Sequence, residues 1–249
     1  MNNVKKYYEV INERLRMILD QEMENIEQAA EVISESLKNE DNLLHVFGTG
    51  SHSIMAGEEI FSRAGGLVQI DPIFFAGVSL INGRMKAIEH VPGIAPHVMA
   101  PHSINEGEVI IISSQAGFNS LTIDAANESK RRGLYVIGIE SRELCKLVPK
   151  DSMSRHPSGK NLHDIADLTI DAKIPFGDAV INIPGAMQKT APVSDILIFF
   201  ILHSIVICTI EKLIEKGANP PIWKSGNIPG GNEANTKYRE KYVKLVKSL

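Results

Sequence analysis

Two apolar runs, 43–47 and 109–112, each break into a short turn of glycine and hydroxyl residues, and each turn opens a stretch of helical period. The first turn is Gly48-Thr49-Gly50-Ser51-His52-Ser53 and the second is Ser113-Ser114-Gln115-Ala116-Gly117-Phe118-Asn119-Ser120. Short, mainly apolar runs of this length suit strands covered on both faces, which is the environment of a parallel sheet. Strand patterns recur at Leu67–Ile70, Leu134–Ile139 and Ala166–Ile170, and helix patterns at Ser53–Ala64, Ser120–Arg132 and Ser194–Lys216. This alternation predicts an α/β three-layer sandwich around a mostly parallel five-stranded sheet, flavodoxin- or Rossmann-like. Right-handed crossovers gather the strand C-termini at one edge, so both turns share the edge where such sheets bind ligands.

The flanks are read as parts of the same single domain over residues 1–249. Within 1–40, Tyr8, Ile11, Leu15, Leu19, Met23, Ile26, Ala30, Ile33 and Leu37 recur at helical steps, predicting an N-terminal helix or helix pair. Glu22, Glu24, Glu27, Glu31 and Glu35 fall on its expected solvated side. The α/β core is placed at 41–218, followed at 219–249 by an extended tail and a short basic helix from Asn235. That tail is too rich in proline and glycine for regular structure, and its Trp223 predicts that it is pinned across a surface. Two long aperiodic stretches, Ile73–Glu106 and Arg142–Asp164, read as lids or binding loops.

Composition excludes several partners. A formal charge of −4 offers no attraction to nucleic acid or an anionic membrane. The apolar run Ile196–Ile210 contains His203 and is shorter than the roughly 20 residues a membrane span needs, so it is expected as a core helix with His203 a satisfied core histidine. Two isolated cysteines, Cys145 and Cys208, and no leader-like opening suggest a cytoplasmic protein with free thiols.

A strand-to-helix turn of small residues aims backbone N–H groups and a helix dipole at an anion. Two of them on one edge predict a site for a phosphorylated, hydroxyl-rich small molecule. A dinucleotide is the rival reading, with Asp71 about 20 residues on as the ribose acid. Ser53, however, stands where that fingerprint needs its third glycine. No His-x-x-x-His pair exists, and His97 and His102 flank a proline turn, so no metal and no cofactor is expected. His52, in the first turn, and Glu58 and Glu59, on the following helix, are the candidate proton-transfer groups. Glu58 and Glu59 would also be favoured by the helix dipole alone, and His156 reads as an ordinary loop residue.

The paired turns resemble the SIS (sugar isomerase) domain, in which a serine-rich S-x-S-G-x-T turn holds a sugar phosphate. Ser114, Gln115 and Gly117 keep that pattern, whereas Ala116 and Asn119 replace its second serine and its threonine. The first turn is similar to the family's sugar-contacting G-x-G-x-S, and the runs Glu58–Gly66 and Ser225-Gly226-Asn227 with Gly230-Gly231 resemble stand-alone bacterial members of the phosphoheptose-isomerase-like branch. The resemblance implies phosphate contacts from Ser113, Ser114, Gln115, Gly117, Asn119 and Ser120, and sugar contacts from Thr49, Gly50, Ser51 and Ser53. It implies an isomerase or lyase of an aldose or amino-sugar phosphate, or a non-catalytic sugar-phosphate sensor. It also implies a homodimer or homotetramer with sites near subunit boundaries. Family enzymes use a glutamate on the helix after the first turn, and ungapped counting puts Ser62 there. With ten acidic and five basic residues before Leu43, a DNA-binding extension is not expected.

Overall fold

The computed structural model describes residues 2–80 and 86–249; residues 81–85 of the aperiodic stretch Ile73–Glu106 lie outside the described residues. A 35-residue helix, α1 (Asn3–Leu37), starts at Asn2, whose side chain accepts the Val4 N–H as an N-cap. The core then alternates as the patterning predicts: β1 (Leu44–Gly48), α2 (Met55–Ile60), β2 (Ile70–Pro72), α3 (Ala95–Met99), β3 (Val109–Ser113), α4 (Ser120–Arg131), β4 (Tyr135–Glu140), α5 (Arg142–Leu147) and β5 (Leu168–Asp171). A small antiparallel pair, β6 (Ala179–Ile181) with β7 (Thr190–Pro192), precedes the long helix α6 (Ser194–Glu215), and α7 (Gly231–Tyr242) ends the chain.

All five main strands are parallel, in the order β2-β1-β3-β4-β5. Alternate residues face the two outer layers. Leu44, Val46, Ile111, Ile137 and Ile139 join Ile26 and Ile33 of α1 and Leu197, Ile201 and Ile205 of α6. Phe47, Ile110, Ile112 and Val136 meet Met99 of α3 and Leu121 and Ala125 of α4. The chain reverses its winding between β1 and β3, so the crevice at their C-terminal ends is a topological switch point. The 22-residue α6 falls where its sequence pattern places it and buries one face against α1.

Three local expectations are revised. The helix foreseen over Ser53–Ala64 is only six residues long. Phe61 is extended, Ser62 takes a left-handed φ of 50°, and Gly65 and Gly66 exchange backbone hydrogen bonds with Trp223 instead. Leu67 and Val68, foreseen in a sheet strand, likewise bridge Ile222 and bond the Pro221 carbonyl, which delays β2 to Ile70. The tail is therefore pinned, and the surface is its own domain: Trp223 packs with Leu43, Val68, Tyr242 and Val246. Glu22 is not solvated, because it is buried where Lys173 Nζ reaches it at 2.5 Å. Glu31 and Glu35 do face outward, and both take Lys216, just past the end of α6.

At the N-terminal edge of the sheet, β1, β2 and the approach to β3 are joined by a buried polar chain. His45 donates from Nδ1 to Asp71 and from Nε2 to Glu108, each at 3.0 Å, and His102 Nδ1 donates to the same Asp71 oxygen at 2.8 Å. Glu108 also accepts the N–H groups of Leu43 and Asn105. Burial pulls the His45 pKa down, but its hydrogen bonds to the two carboxylates and their charges outweigh that and leave it raised. Burial likewise opposes ionisation of Asp71 and Glu108, and their histidine and backbone donors hold both pKa values below ordinary. The carboxylate share of stability is in place above an ordinary pKa of about 4 and is lost as acid titrates both groups. The His45 share is in place below about pH 6.5 and is lost as pH rises through its raised value. Urea denaturation across pH should therefore give a stability plateau from about pH 5 to 6.5, falling on both sides. His45→Leu, which takes the imidazole between Asp71 and Glu108 away and leaves them His102 and the backbone donors, should lose about 3–5 kcal/mol and the alkaline dependence; a variant of wild-type stability would contradict the network.

Candidate functional site

The switch-point crevice is built by the two turns, and Thr122 is a hub of the hydrogen bonds that fasten them together. Thr122, in the first turn of α4, places its hydroxyl 2.6 Å from Thr49 Oγ1, 2.7 Å from Asn119 Oδ1 and 3.1 Å from Ser114 Oγ. Asn119 caps α4 by accepting the Thr122 N–H at 2.8 Å and donates from Nδ2 to the Thr49 carbonyl at 3.0 Å. Ser53 Oγ accepts the Gln115 N–H and Ser114 Oγ accepts the Gly117 N–H. Two positions admit only glycine. A Cβ on Gly48 would lie 1.9 Å from the Ser53 carbonyl oxygen; one on Gly117, at φ 69°, would lie 2.1 Å from Glu140 Oε2.

The cleft between the turns, about 80 Å³, is lined by the backbone and side chains of 50–53 and by Ser114, Gln115, Ala116, Asn119 and Glu89. Among the described residues, no protein acceptor meets the N–H groups of His52, Ala116, Asn119 or Ser120. His52, Ala116 and Asn119 line the cleft, and the 12-residue α4 begins directly after Asn119, the arrangement that suits an anion at a helix N-terminus. Glu89 comes from the 3₁₀ turn Lys86–His90, and its Oε2 accepts the Ser51 N–H at 3.2 Å. The same turn is tied to the second loop, because Ser120 Oγ donates to the His90 carbonyl at 2.9 Å. A larger hollow of about 760 Å³ opens between Glu31, Val32, Lys130, Tyr135 and Asp167, but there Lys130 and Asp167 pair with each other. Volume alone does not locate the chemistry.

The candidate residues separate by position. Gly50, Ser51, His52, Ser53, Ser114, Gln115 and Asn119 line the cleft. Thr49, Ser113, Gly117 and Ser120 lie beside it as its frame: Thr49 is buried and spent on the clasp, Ser113 is buried in β3, and Gly117 packs on Glu140. Glu58 is exposed on α2 and does not reach the cleft. Glu59 is also outside it, bonded at 3.0 Å to His203 Nε2 and paired with Arg63. His203 is accordingly no core histidine, since its side chain is 41% exposed. Ser62 stands beyond the end of α2 in left-handed backbone. Asp71, the ribose acid of the dinucleotide reading, is turned into the core between His45 and His102.

Sequence reasoning missed Thr122, Glu89 and Asp195. Thr122 reads as an ordinary helix residue, and Glu89 lies in an aperiodic stretch that offers no positional signal. Asp195, in the first turn of α6, has its pKa pushed up by burial while the nearby His52 pulls it down, which places the two in electrostatic reach. His156 docks on the second loop through its N–H to the Phe118 carbonyl. Arg155, stacked 4.3 Å from the centre of the Phe118 ring, anchors the expected lid Arg142–Asp164 by bonding the carbonyls of Cys145 and Val148.

The SIS domain family model matches residues 6–141 of this chain. A UPF0309 protein of Caldanaerobacter subterraneus is 40% identical over 247 residues, spanning 98% of each chain. Among solved structures, phosphoheptose isomerase GmhA from Neisseria gonorrhoeae superposes with a TM-score of 0.57 at 16% identity, covering 84% of this chain and 97% of that one. A phosphoheptose isomerase from Francisella tularensis gives 0.54 at 14% identity over 84% and 96% of the two chains. At these identities the two structures report a shared fold.

Thr122→Val keeps the shape of the clasp and removes its shared hydroxyl, leaving Thr49 and Ser114 buried without that partner. Thermal or urea denaturation should register a loss of about 1–3 kcal/mol, with amide exchange faster in both turns. An unchanged stability would mean that the turns are held apart from Thr122.

Proposed function

Because the chain belongs to the SIS domain family, we propose that it binds a sugar phosphate in the switch-point cleft and acts on it by acid–base chemistry, as a phosphosugar isomerase or lyase. The observation that carries the reading is the Glu89 carboxylate bonded to the Ser51 N–H in the cleft between the two turns. The cleft already holds one oxyanion of the protein's own, and it carries a group able to move a proton. The phosphate is assigned to the second turn, against Ser114, Gln115, Asn119 and the start of α4, with Gly117 shaping the loop and Ser113 and Ser120 supporting it. The sugar is assigned to Gly50, Ser51 and Ser53, with Thr49 behind them.

Aldose–ketose isomerisation begins when a base takes the proton from C2 of the open-chain aldose, which leaves an enediol. That proton returns to C1 while a second acid–base group moves a proton between the two oxygens. A lyase shares the first step and then expels a neighbouring substituent. In this chain Glu89 is the base and His52, beside the raised carboxyl of Asp195, is the partner that serves the oxygens. Glu58 and Glu59 stand outside the cleft of their own chain. The reading has a rival, a sugar-phosphate sensor, favoured by Ser62 in left-handed backbone where family enzymes carry a glutamate.

One experiment separates them. Aldose and amino-sugar phosphates should raise the unfolding midpoint, by the equivalent of about 2.7 kcal/mol at a hundredfold excess over Kd. NMR of the same mixtures should then reveal a product. Glu89→Gln should keep the shift and lose about 10²- to 10⁴-fold in turnover. Binding without product would favour the sensor, and no shift with any sugar phosphate would overturn both.

A homo-oligomer belongs to the same proposal. Ile196, Ile207 and Ile214 of α6 are 40%, 57% and 59% exposed. Phe200, His203 and Ile210 lie between them at alternating steps of four and three, the spacing of a coiled-coil seam. A second copy on this seam would bring the Glu59–His203 pair to a subunit boundary. Light scattering should give a dimer or tetramer, and Ile207→Glu should shift it toward monomer; a monomeric wild type at micromolar concentration would contradict the seam.

A further inference from the structure

Against the second turn, three side chains that play no part in the proposed sugar-phosphate site converge on one point. Glu140 is the last residue of β4, Cys145 lies on α5, and His163 is in the 3₁₀ turn Leu162–Asp164. One carboxylate oxygen, the thiol sulfur and a ring nitrogen all lie within 4.8 Å of one another. Glu140 is fully buried and reaches both partners: its Oε2 is 3.5 Å from Cys145 Sγ, and its Oε1 accepts from His163 Nδ1. Ligands sharing one tetrahedral centre at about 2.0–2.3 Å lie about 3.3–3.8 Å apart, so small side-chain rotations suffice.

The backbone holds this arrangement without help from a ligand. Ser141 caps α5 by accepting the Leu144 N–H, which sets Cys145 one turn from Glu140. Arg155 joins the other two segments, donating to the Cys145 carbonyl at 2.6 Å and to Asn161 Oδ1 at 2.8 Å. Asn161 and Asp164 close a capping box around the turn that carries His163. Preorganisation of this kind is what a metal-binding constellation needs.

The geometry points to a zinc-type transition-metal site formed by Glu140, Cys145 and His163, with its fourth position open. A thiolate, an imidazole and a carboxylate are a donor set for Zn²⁺ and its neighbours, whereas Mg²⁺ and Ca²⁺ take oxygen alone. Access exists, since a cavity of about 220 Å³ lined by Arg142, Cys145, Lys146, Asn161 and His163 reaches two of the three groups, with the buried Glu140 behind them. An outer partner is also present. With Nδ1 on the metal, His163 turns Nε2–H toward Asp164 Oδ1, now 3.8 Å away, in a carboxylate–histidine–metal relay. Arg142 lies 3.5 Å from Glu140 and is 44% exposed, so it can yield its place to the metal by moving into solvent. Occupancy would reach the second turn directly. Cys145 Sγ donates to the Ala116 carbonyl at 3.2 Å, and a metal-bound thiolate has no proton to donate.

The test is titration of chelator-stripped protein with Co²⁺ under a thiol-free reductant, read by the thiolate-to-cobalt charge-transfer absorption, with Zn²⁺ affinity from competition against a chromophoric chelator. Expected is a band saturating at a single equivalent and displaced by Zn²⁺, absent in Cys145→Ser and retained in Cys208→Ser. His163→Ala should weaken Zn²⁺ by more than tenfold, and the surface change Asp164→Asn by about tenfold. Circular dichroism checks that each variant is folded. Should Cys145→Ser not fold, the wild-type band together with Asp164→Asn decides the matter. No thiolate band in the wild type, a band that survives in Cys145→Ser, or unchanged Zn²⁺ affinity in both His163→Ala and Asp164→Asn would overturn the site.

Discussion

The cleft depends on one topological fact: β1 and β3 are neighbours in a parallel sheet although a whole strand, β2, lies between them in sequence. Only that order sets the C-terminal turns of β1 and β3 side by side. The Thr122 hydroxyl, shared among Thr49, Ser114 and Asn119, then converts proximity into a fixed separation. Each turn alone is a common strand-to-helix loop. Together they wall one small cleft between them.

The opposite edge is built by another rule. There the same strands are tied by charge, through His45 between Asp71 and Glu108, where the C-terminal edge uses neutral hydroxyl and amide bonds. A buried imidazolium flanked by two carboxylates costs desolvation and is sustained only by complete pairing. It joins β1 to β2 and to the approach of β3 in the register the sheet adopts. The neutral edge carries no such titrating group in its clasp, so its donors remain available for an anion.

Much of the fold was legible in the sequence because apolar period and turn composition are local signals. The strand runs, α4 and α6 lie within a few residues of where those signals place them. The errors share a cause. Residues 61–68 look like the end of a helix and a strand, but the tail competes for their backbone through Pro221 and Trp223, more than 150 residues away. Glu22 looked solvated because Lys173, its partner, is equally distant in sequence. The site was legible to the same depth. Both turns were identifiable, yet which hydroxyls face the cleft was not, because Thr49 and Ser114 both bond Thr122 and only the packing of the turns sets Ser114, and not Thr49, on the cleft wall. Glu89 reaches the cleft by tertiary packing alone, and no spacing announces it.

The central claim is that the two turns form one anion site which Glu89 occupies when no ligand does. The most direct measurement is the backbone amide NMR spectrum during titration with an aldose phosphate, with the unphosphorylated sugar as control. The sugar phosphate should shift the amides of 50–53 and 115–120 together, with Ser51 moving as Glu89 leaves it, and the unphosphorylated sugar should shift the second set little. Shifts confined to other surfaces, or equal responses to both sugars, would contradict it.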